Sequence, residues 1–287
     1  MKLNDIKKIA IIGAGNMGRQ IATLCAIKGY RTFCTDTDKK TLDKATEFFS
    51  SYVASRVEKG KLTDDQAKIS KKNISFTHSL EEAVNTADFV IEAIIEVLSV
   101  KRELFAKVDH IAPKHAILTT NSSYIVSSKI ADATKRSEKV CNMHFFNPAL
   151  AMKLVEIVKG QHVSEETADL VYNLSEKLGK NPVIVEKEVE GFLVNRILRV
   201  IRLEAYWLKE MGIASVEDID KACVYGLGHP MGPFKLNDLT GLDLSYTQAI
   251  EKFKSTGEIA DLPYSSLVQK FTQGKYGKKT GEGWYKY

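Results

Sequence analysis

Residues 8–18 read KIAIIGAGNMG, and the fold turns on this stretch. An apolar run of strand length, residues 8–13, passes directly into a glycine-rich turn, and residues 16–28 continue at helical spacing. In the resulting GxGxxG, Gly13 permits the tight turn, Gly15 lets backbone approach a pyrophosphate, and Gly18 lets the helix pack closely on the sheet. The helix start at Asn16 and Met17 offers free N–H groups and a partial positive charge to phosphate. Asp36 stands at the end of the next strand, RTFCT at residues 31–35. A carboxylate there accepts hydrogen bonds from ribose hydroxyls and repels the additional phosphate of NADP, so NAD is favoured. Loop and acid alone do not separate NAD from FAD.

Outward from the loop, strands and helices alternate as in a parallel α/β sheet. Residues 39–73 are lysine-rich and helical with a break at EKGK, residues 58–61, which predicts a helical hairpin projecting from the sheet. Further strands are expected at 74–77, 88–93, 116–120, 141–146, 154–158 and 181–185. After Glu188 the pattern changes: Ile197, Leu198, Ile201, Ala205 and Leu208 recur at helical spacing, and SVED at 215–218 reads as a helix start. The expected fold is therefore a Rossmann-type dinucleotide-binding domain with an inserted helical hairpin, residues 1–187, followed by an all-α C-terminal domain, residues 188–287. So small a domain with so apolar a face suggests burial against a second copy, a homodimer.

Composition narrows the class. A formal net charge of +5 over 287 residues suits an anionic ligand, and no basic stripe of the kind that binds nucleic acid stands out. Cys25, Cys34, Cys141 and Cys223 form no CxxC pair, so neither a metal site nor a disulfide framework is expected. The opening apolar stretch is too short for a membrane span and runs into the glycine loop, and no apolar run approaches 18 residues, so a cytoplasmic protein is expected.

Of the six histidines, His78, His110, His115 and His162 lie in polar settings, and His229 precedes a proline in an expected turn. His144 differs: it sits inside the apolar run CNMHFFNP, where an unpaired ring is costly, and Glu156 is equally out of place in KLVEIV. The two can satisfy one another, the carboxylate orienting the ring and fixing its tautomer. A metal-free alcohol dehydrogenase needs such a base. The residues alone leave a catalytic pair and a structural core pair equally open.

His144-Phe-Phe-Asn-Pro148 followed by Met152-Lys-Leu-Val-Glu156 closely resembles a signature of the L-3-hydroxyacyl-CoA dehydrogenases. The likeness runs along nearly the whole chain, through GAGNMG, VIEAIIE (90–96), GFLVNR (191–196), HPMGP (229–233) and GKKTGEGWYKY (277–287). The length is most similar to that of free-standing bacterial 3-hydroxybutyryl-CoA dehydrogenases. The resemblance implies an acyl-CoA substrate, His144 as general base, Glu156 as its orienting partner, and Ser123 and Asn195 as contacts to the substrate oxygen. It implies that Glu96, Lys101, Asn147 and Lys279 contact or close over the nicotinamide half of NAD. Arg56 and Lys59 on the hairpin would meet the CoA adenosine phosphates. Two departures stand out: Tyr124 follows Ser123 where the family has a second serine of NTSS, and Glu190 replaces the proline of PGF, with one extra residue upstream. Two relatives of the family set the alternatives, a gulonate-type dehydrogenase acting without CoA and a non-catalytic crystallin. The HFFNP and MKLVE spellings favour acyl-CoA over the first, and the joint presence of His144, Glu156, Ser123 and Asn195 disfavours the second.

Overall fold

A computed structural model describes all residues, Met1–Tyr287, and the chain divides into two compact units, Met1–Leu193 and Val194–Tyr287. In the first unit the order is β1 (Lys8–Ile12), α1 (Asn16–Ile27), β2 (Arg31–Thr35), α2 (Lys39–Glu58), α3 (Asp64–Asn73), β3 (Ile74–Thr77), α4 (Leu80–Val84) and β4 (Phe89–Glu92). Then come α5 (Leu98–Ile111), β5 (Ile117–Thr120), α6 (Ser128–Ala131), β6 (Val140–Phe145), β7 (Leu154–Val158), α7 (Glu165–Lys177) and β8 (Asn181–Val185).

The eight strands form one sheet in the order β3-β2-β1-β4-β5-β6-β7-β8. Every neighbouring pair is parallel except β6 and β7. Both faces are covered, so the central strands read as continuous apolar runs rather than alternating ones. Ile9, Ile11, Phe89 and Ile91 pack on one face with Ile21 and Cys25 of α1 and Val171 and Leu174 of α7. Ala10, Ile12, Val90 and Leu118 pack on the other with Phe105 and Val108 of α5. From β1 the order runs to β2 on one side and to β4 on the other. That reversal opens a crevice at the strand ends, where ligands of such sheets bind.

The hairpin of α2 and α3 does not simply project. Phe49, Val53 and Ala67 close on Ala26 of α1 as a small core of their own. Asp38 caps α2, and Thr63 and Gln66 form a reciprocal capping box at α3. The unit boundary also differs from the expected 187/188. Glu188 Oε1 accepts from the Ser127 hydroxyl at 3.1 Å and the Ser128 N–H at 2.8 Å, and Phe192 is buried among Val126, Val158 and Val185. These contacts tie residues 188–193 to the first unit.

The second unit consists of α8 (Val194–Glu210), α9 (Val216–Leu227), α10 (Pro233–Thr240), α11 (Leu242–Thr256) and α12 (Ser265–Thr272). Ala205, Tyr206, Ile219, Phe234, Leu242 and Leu267 form its core, with Trp284 and Tyr285 packed against it. The HPMGP and GKKTGEGWYKY motifs have structural tasks here. Asp220 caps α10 by accepting from the Phe234 and Lys235 N–H groups at 2.8 and 3.0 Å. Asp238 fastens the C-terminal tail by accepting from the Trp284 and Tyr285 N–H groups at 2.8 and 2.9 Å.

All four cysteines are free, and Cys25, Cys34 and Cys141 are buried. Burial pushes the Cys25 and Cys141 thiols up to about 12 and raises Cys34 as well, which disfavours the reactive thiolate. Titration of the native protein with a thiol reagent at pH 8 is expected to modify Cys223 alone, slowly, with the other three reacting only after denaturation. Rapid native labelling of Cys25 or Cys141 would contradict this packing.

Candidate active site

At the glycine loop the backbone leaves no room for side chains where the fold needs contact, and leaves space where a ligand would come. Gly13 has φ +99, and a Cβ there would meet the Ala93 carbonyl oxygen at 2.6 Å. A Cβ on Gly18 would meet the Gly13 carbonyl oxygen at 1.7 Å, which is the close approach of α1 to the strand end. A Cβ on Gly15, by contrast, would have nothing within 4 Å. Gly15 is the N-cap of α1, and no side chain caps that helix start. Asp36 is held by accepting from the Ala14 N–H at 2.8 Å and the Asp38 N–H at 3.0 Å, yet stays partly exposed. An open helix N-terminus with a fixed carboxylate beside it fits a dinucleotide. The Met17 side chain is partly buried and packs against the main core. Asn16 Nδ2 donates to Asn147 Oδ1 at 3.0 Å, placing exposed Asn147 over the start of α1.

The second cluster forms where β6 and β7 run antiparallel, with His144 directly opposite Glu156. His144 Nδ1 lies 2.8 Å from Glu156 Oε2, and its Nε2 lies 3.0 Å from Ser123 Oγ. The side chains of His144 and Glu156 are 5% and 0% exposed, so water does not compete for the bond between them. The Leu193 N–H donates to Glu156 Oε1 at 3.0 Å. The Phe146 and Phe192 rings flank the imidazole, with centroids at 4.6 and 5.5 Å. A carboxylate only accepts, so in the neutral ring Nδ1 carries the proton and the Nε2 lone pair faces Ser123.

Ser123 sits on a turn after β5 that is clamped from two sides. Glu96 Oε1 accepts from the Ser122 hydroxyl and from the Tyr124 and Ile125 N–H groups, the last two at 3.1 and 3.3 Å. Asn142, on the same face of β6 as His144, donates to the Ile125 carbonyl at 2.9 Å and accepts from the Ser127 N–H at 2.8 Å. Behind Glu96 lies a buried ion pair. Lys101 Nζ is 2.6 Å from Glu92 Oε1 and 3.4 Å from Glu96 Oε2, and Glu92 Oε2 accepts from the Thr120 hydroxyl at 2.6 Å. Lys101 was expected beside the nicotinamide; its side chain is 1% exposed and engaged by these two carboxylates.

Of the other expected residues, Arg56 lies near the end of α2 with its Nε donating to the Tyr52 hydroxyl at 2.9 Å, and Lys59 is the exposed C-cap of that helix. Asn195, in the first turn of α8, and Lys279, paired with Asp243 at 2.5 Å, belong to the second unit. Glu190 forms an exposed pair with Lys129 at 3.0 Å. Glu92, Asn142 and Phe192 were missed from sequence. The first two carried the same signal that found His144, a polar side chain inside an apolar strand; Phe192 carried none.

The family model described as the 3-hydroxyacyl-CoA dehydrogenase NAD binding domain matches residues 8–189, and that of the C-terminal domain of the same family matches residues 191–287. The chain belongs to the 3-hydroxyacyl-CoA dehydrogenase family. A probable 3-hydroxybutyryl-CoA dehydrogenase of Bacillus subtilis is 38% identical over 286 residues, covering 99% of this chain and 98% of the relative. The mitochondrial hydroxyacyl-coenzyme A dehydrogenase of Homo sapiens is 36% identical over 289 residues, covering 98% and 91%. The crystal structure of the (S)-3-hydroxybutyryl-CoA dehydrogenase from Ralstonia eutropha superposes with a TM-score of 0.91 at 33% identity, covering 98% of this chain and 99% of that one. The chain is thus an NAD-dependent 3-hydroxyacyl-CoA dehydrogenase by family, and its first unit carries the NAD-binding domain.

Burial works to raise the Glu96 carboxyl, but the Ser122 hydroxyl, the Lys101 charge and the Tyr124 and Ile125 amides outweigh it and hold it below the ordinary 4.5. A carboxylate lowered in the folded state stabilises the fold above its unfolded pKa, and that stability is lost as pH falls through the folded pKa. The clamp on Ser123 therefore persists at neutral pH and loosens as pH falls through the lowered pKa of Glu96. Glu96→Gln should flatten the acid limb of a stability-against-pH curve and lower turnover at neutral pH. An acid limb identical to wild type would show that Glu96 does not hold the turn through its charge.

Proposed function

We propose that this chain interconverts (S)-3-hydroxyacyl-CoA and 3-ketoacyl-CoA with short acyl groups, 3-hydroxybutyryl-CoA being its substrate, and that His144 is the general base. The observation that carries this reading is the imidazole held between Glu156 at 2.8 Å and Ser123 at 3.0 Å. The short chain is supported by relatives of matching length named for 3-hydroxybutyryl-CoA.

In the oxidative direction the 3-hydroxyl approaches Nε2 of neutral His144, on the side that Ser123 Oγ occupies. The hydroxyl proton passes to Nε2 as the C3–H electron pair leaves, and the alcohol oxygen becomes the ketone oxygen. Ser123, whose hydroxyl donates to Nε2 before substrate binds, turns that hydroxyl to the substrate oxygen and leaves the Nε2 lone pair to take the proton. Glu156, negative and buried opposite, stabilises the imidazolium that forms. In reduction the same imidazolium returns the proton. NAD, when bound, supplies the acceptor for the hydride from C3. The start of α1 with Gly13, Gly15, Asn16, Met17 and Gly18 would hold its pyrophosphate, and Asp36 its adenosine ribose. Asn147, Glu96 and Lys101 would lie toward the nicotinamide, the lysine acting through the carboxylate it orders. Asn195 on the substrate oxygen and Lys279 near the nicotinamide enter through their sequence motifs alone, as do Arg56 and Lys59 for the CoA phosphates.

His144→Gln should lower turnover of acetoacetyl-CoA with NADH by about 10²–10⁴-fold, the usual worth of a general acid–base group, while NADH binding is unchanged. In the same assay kcat/KM should be highest for the C4 substrate of a C4–C16 series. Near-normal turnover of the variant removes the base; equal rates across the series remove the short-chain reading.

We also assign a homodimer to the second unit. Its small core leaves Ile197, Val200, Met211, Ile213, Tyr225 and Leu227 each more than half exposed, apolar side chains that a second copy would cover. Val200→Glu is expected to convert a dimer, read by light scattering, to a monomer. A wild-type protein that is monomeric at micromolar concentration ends this assignment.

A further inference from the structure

Phe192 is the one residue other than glycine with a positive φ, at +48°, a region that costs an ordinary side chain energy and that surrounding structure must enforce. The enforcement is visible. Gly191 before it has φ +79, the Phe192 N–H closes a turn on the Val189 carbonyl at 3.1 Å, and the ring is fully buried with Val126, Val158 and Val185. Glu188 fastens the start of the same segment to Ser127 and Ser128. What this conformation delivers is the next peptide. The Leu193 N–H points at Glu156 Oε1 at 3.0 Å, while Oε2 of the same carboxylate takes His144 Nδ1 at 2.8 Å. With each oxygen engaged on a different side, the carboxylate plane is fixed and so is the direction of the imidazole. A right-handed or extended residue at 192 would turn the 193 amide elsewhere.

We propose that Phe192 is a positioning residue whose left-handed backbone, more than its ring, aims the 193 amide at Glu156 and thereby sets the His144 imidazole for proton transfer. This rests on His144 and Glu156 being the catalytic pair.

Ala and Gly at position 192 both remove the ring and differ mainly in backbone freedom, since glycine enters the left-handed region at no steric cost. In steady-state reduction of acetoacetyl-CoA, Phe192→Gly should keep a kcat about five- to tenfold above that of Phe192→Ala, with both KM values unchanged, since small misplacements of a catalytic group are costly. Leu and Val give a second pair that fills more of the cavity should the smaller variants not fold. Phe192→Leu should exceed Phe192→Val by a similar factor, because a β-branched side chain is the least tolerant of positive φ. Thermal melts on every variant keep the assay temperature below unfolding. In a Glu156→Ala background, which removes what the amide holds, the difference between Gly and Ala should vanish. Equal kcat within each pair, or a difference that persists without Glu156, overturns the proposal. If Glu156→Ala alone leaves kcat at the wild-type value, the catalytic pair itself is wrong, and that failure is read separately.

Discussion

The structure of the site depends on one hydrogen bond, His144 Nδ1 to Glu156 Oε2 across the antiparallel step of a parallel sheet. A carboxylate with no exposure to water is tolerated only when paired and hydrogen-bonded. It therefore constrains its surroundings more than any apolar residue could. The strand β7 must run opposite to β6 and in the register that sets residue 156 against 144. A one-residue slip would turn Glu156 to the other face of the sheet, into the core around Met143 and Ile157. The backbone at residues 192–193 must come close enough for an amide to reach the second carboxylate oxygen.

Two networks of different construction support the ring. On the side of Ser123 the support is charge: Glu92, Lys101 and Glu96 are linked in sequence, and Glu96 holds three groups of the turn. On the side of Glu156 the support is packing and backbone, with Phe192 wedged among three valines. The charged side responds to acid because its clamp is a carboxylate held below its ordinary range. The glycine loop works by the opposite means, since Gly15 contributes by leaving open the space beside a helix start. The closely packed parts surround the imidazole, and the open part fits a dinucleotide.

The fold was legible because its signals are local. An apolar run, a glycine turn and a helical period in residues 8–28 are all that the first strand–helix unit requires, and β2, β3, β7 and β8 appear at the bounds the pattern suggests. His144 and Glu156 were legible as misplaced polar residues, although nothing in the sequence said that their strands would be adjacent and reversed. The hairpin's packing on α1 was not legible, because Phe49, Val53 and Ala67 meet Ala26 only through tertiary geometry. The unit boundary slipped because the helical periodicity that marks the second unit says nothing of where residues 188–193 attach. Lys101 was singled out from sequence only through the family resemblance, and the fold reveals its burial between two carboxylates.

Phe192 marks the limit of pattern reading. A phenylalanine after a glycine carries no polarity, no unusual period and no charge, and a sequence cannot display a backbone angle. Yet a buried aromatic held at positive φ next to an amide that meets a buried carboxylate departs from the local preference of its own residue type. Proteins keep such departures where tertiary structure over-determines them, and these places cluster at functional sites. The polar residues inside apolar strands are departures of the same kind. Glu92, Asn142, His144 and Glu156 each lower the intrinsic fitness of a strand for a dry core. All four lie on the hydrogen-bonded networks that meet at the Nε2 lone pair of a single imidazole or at the turn that faces it.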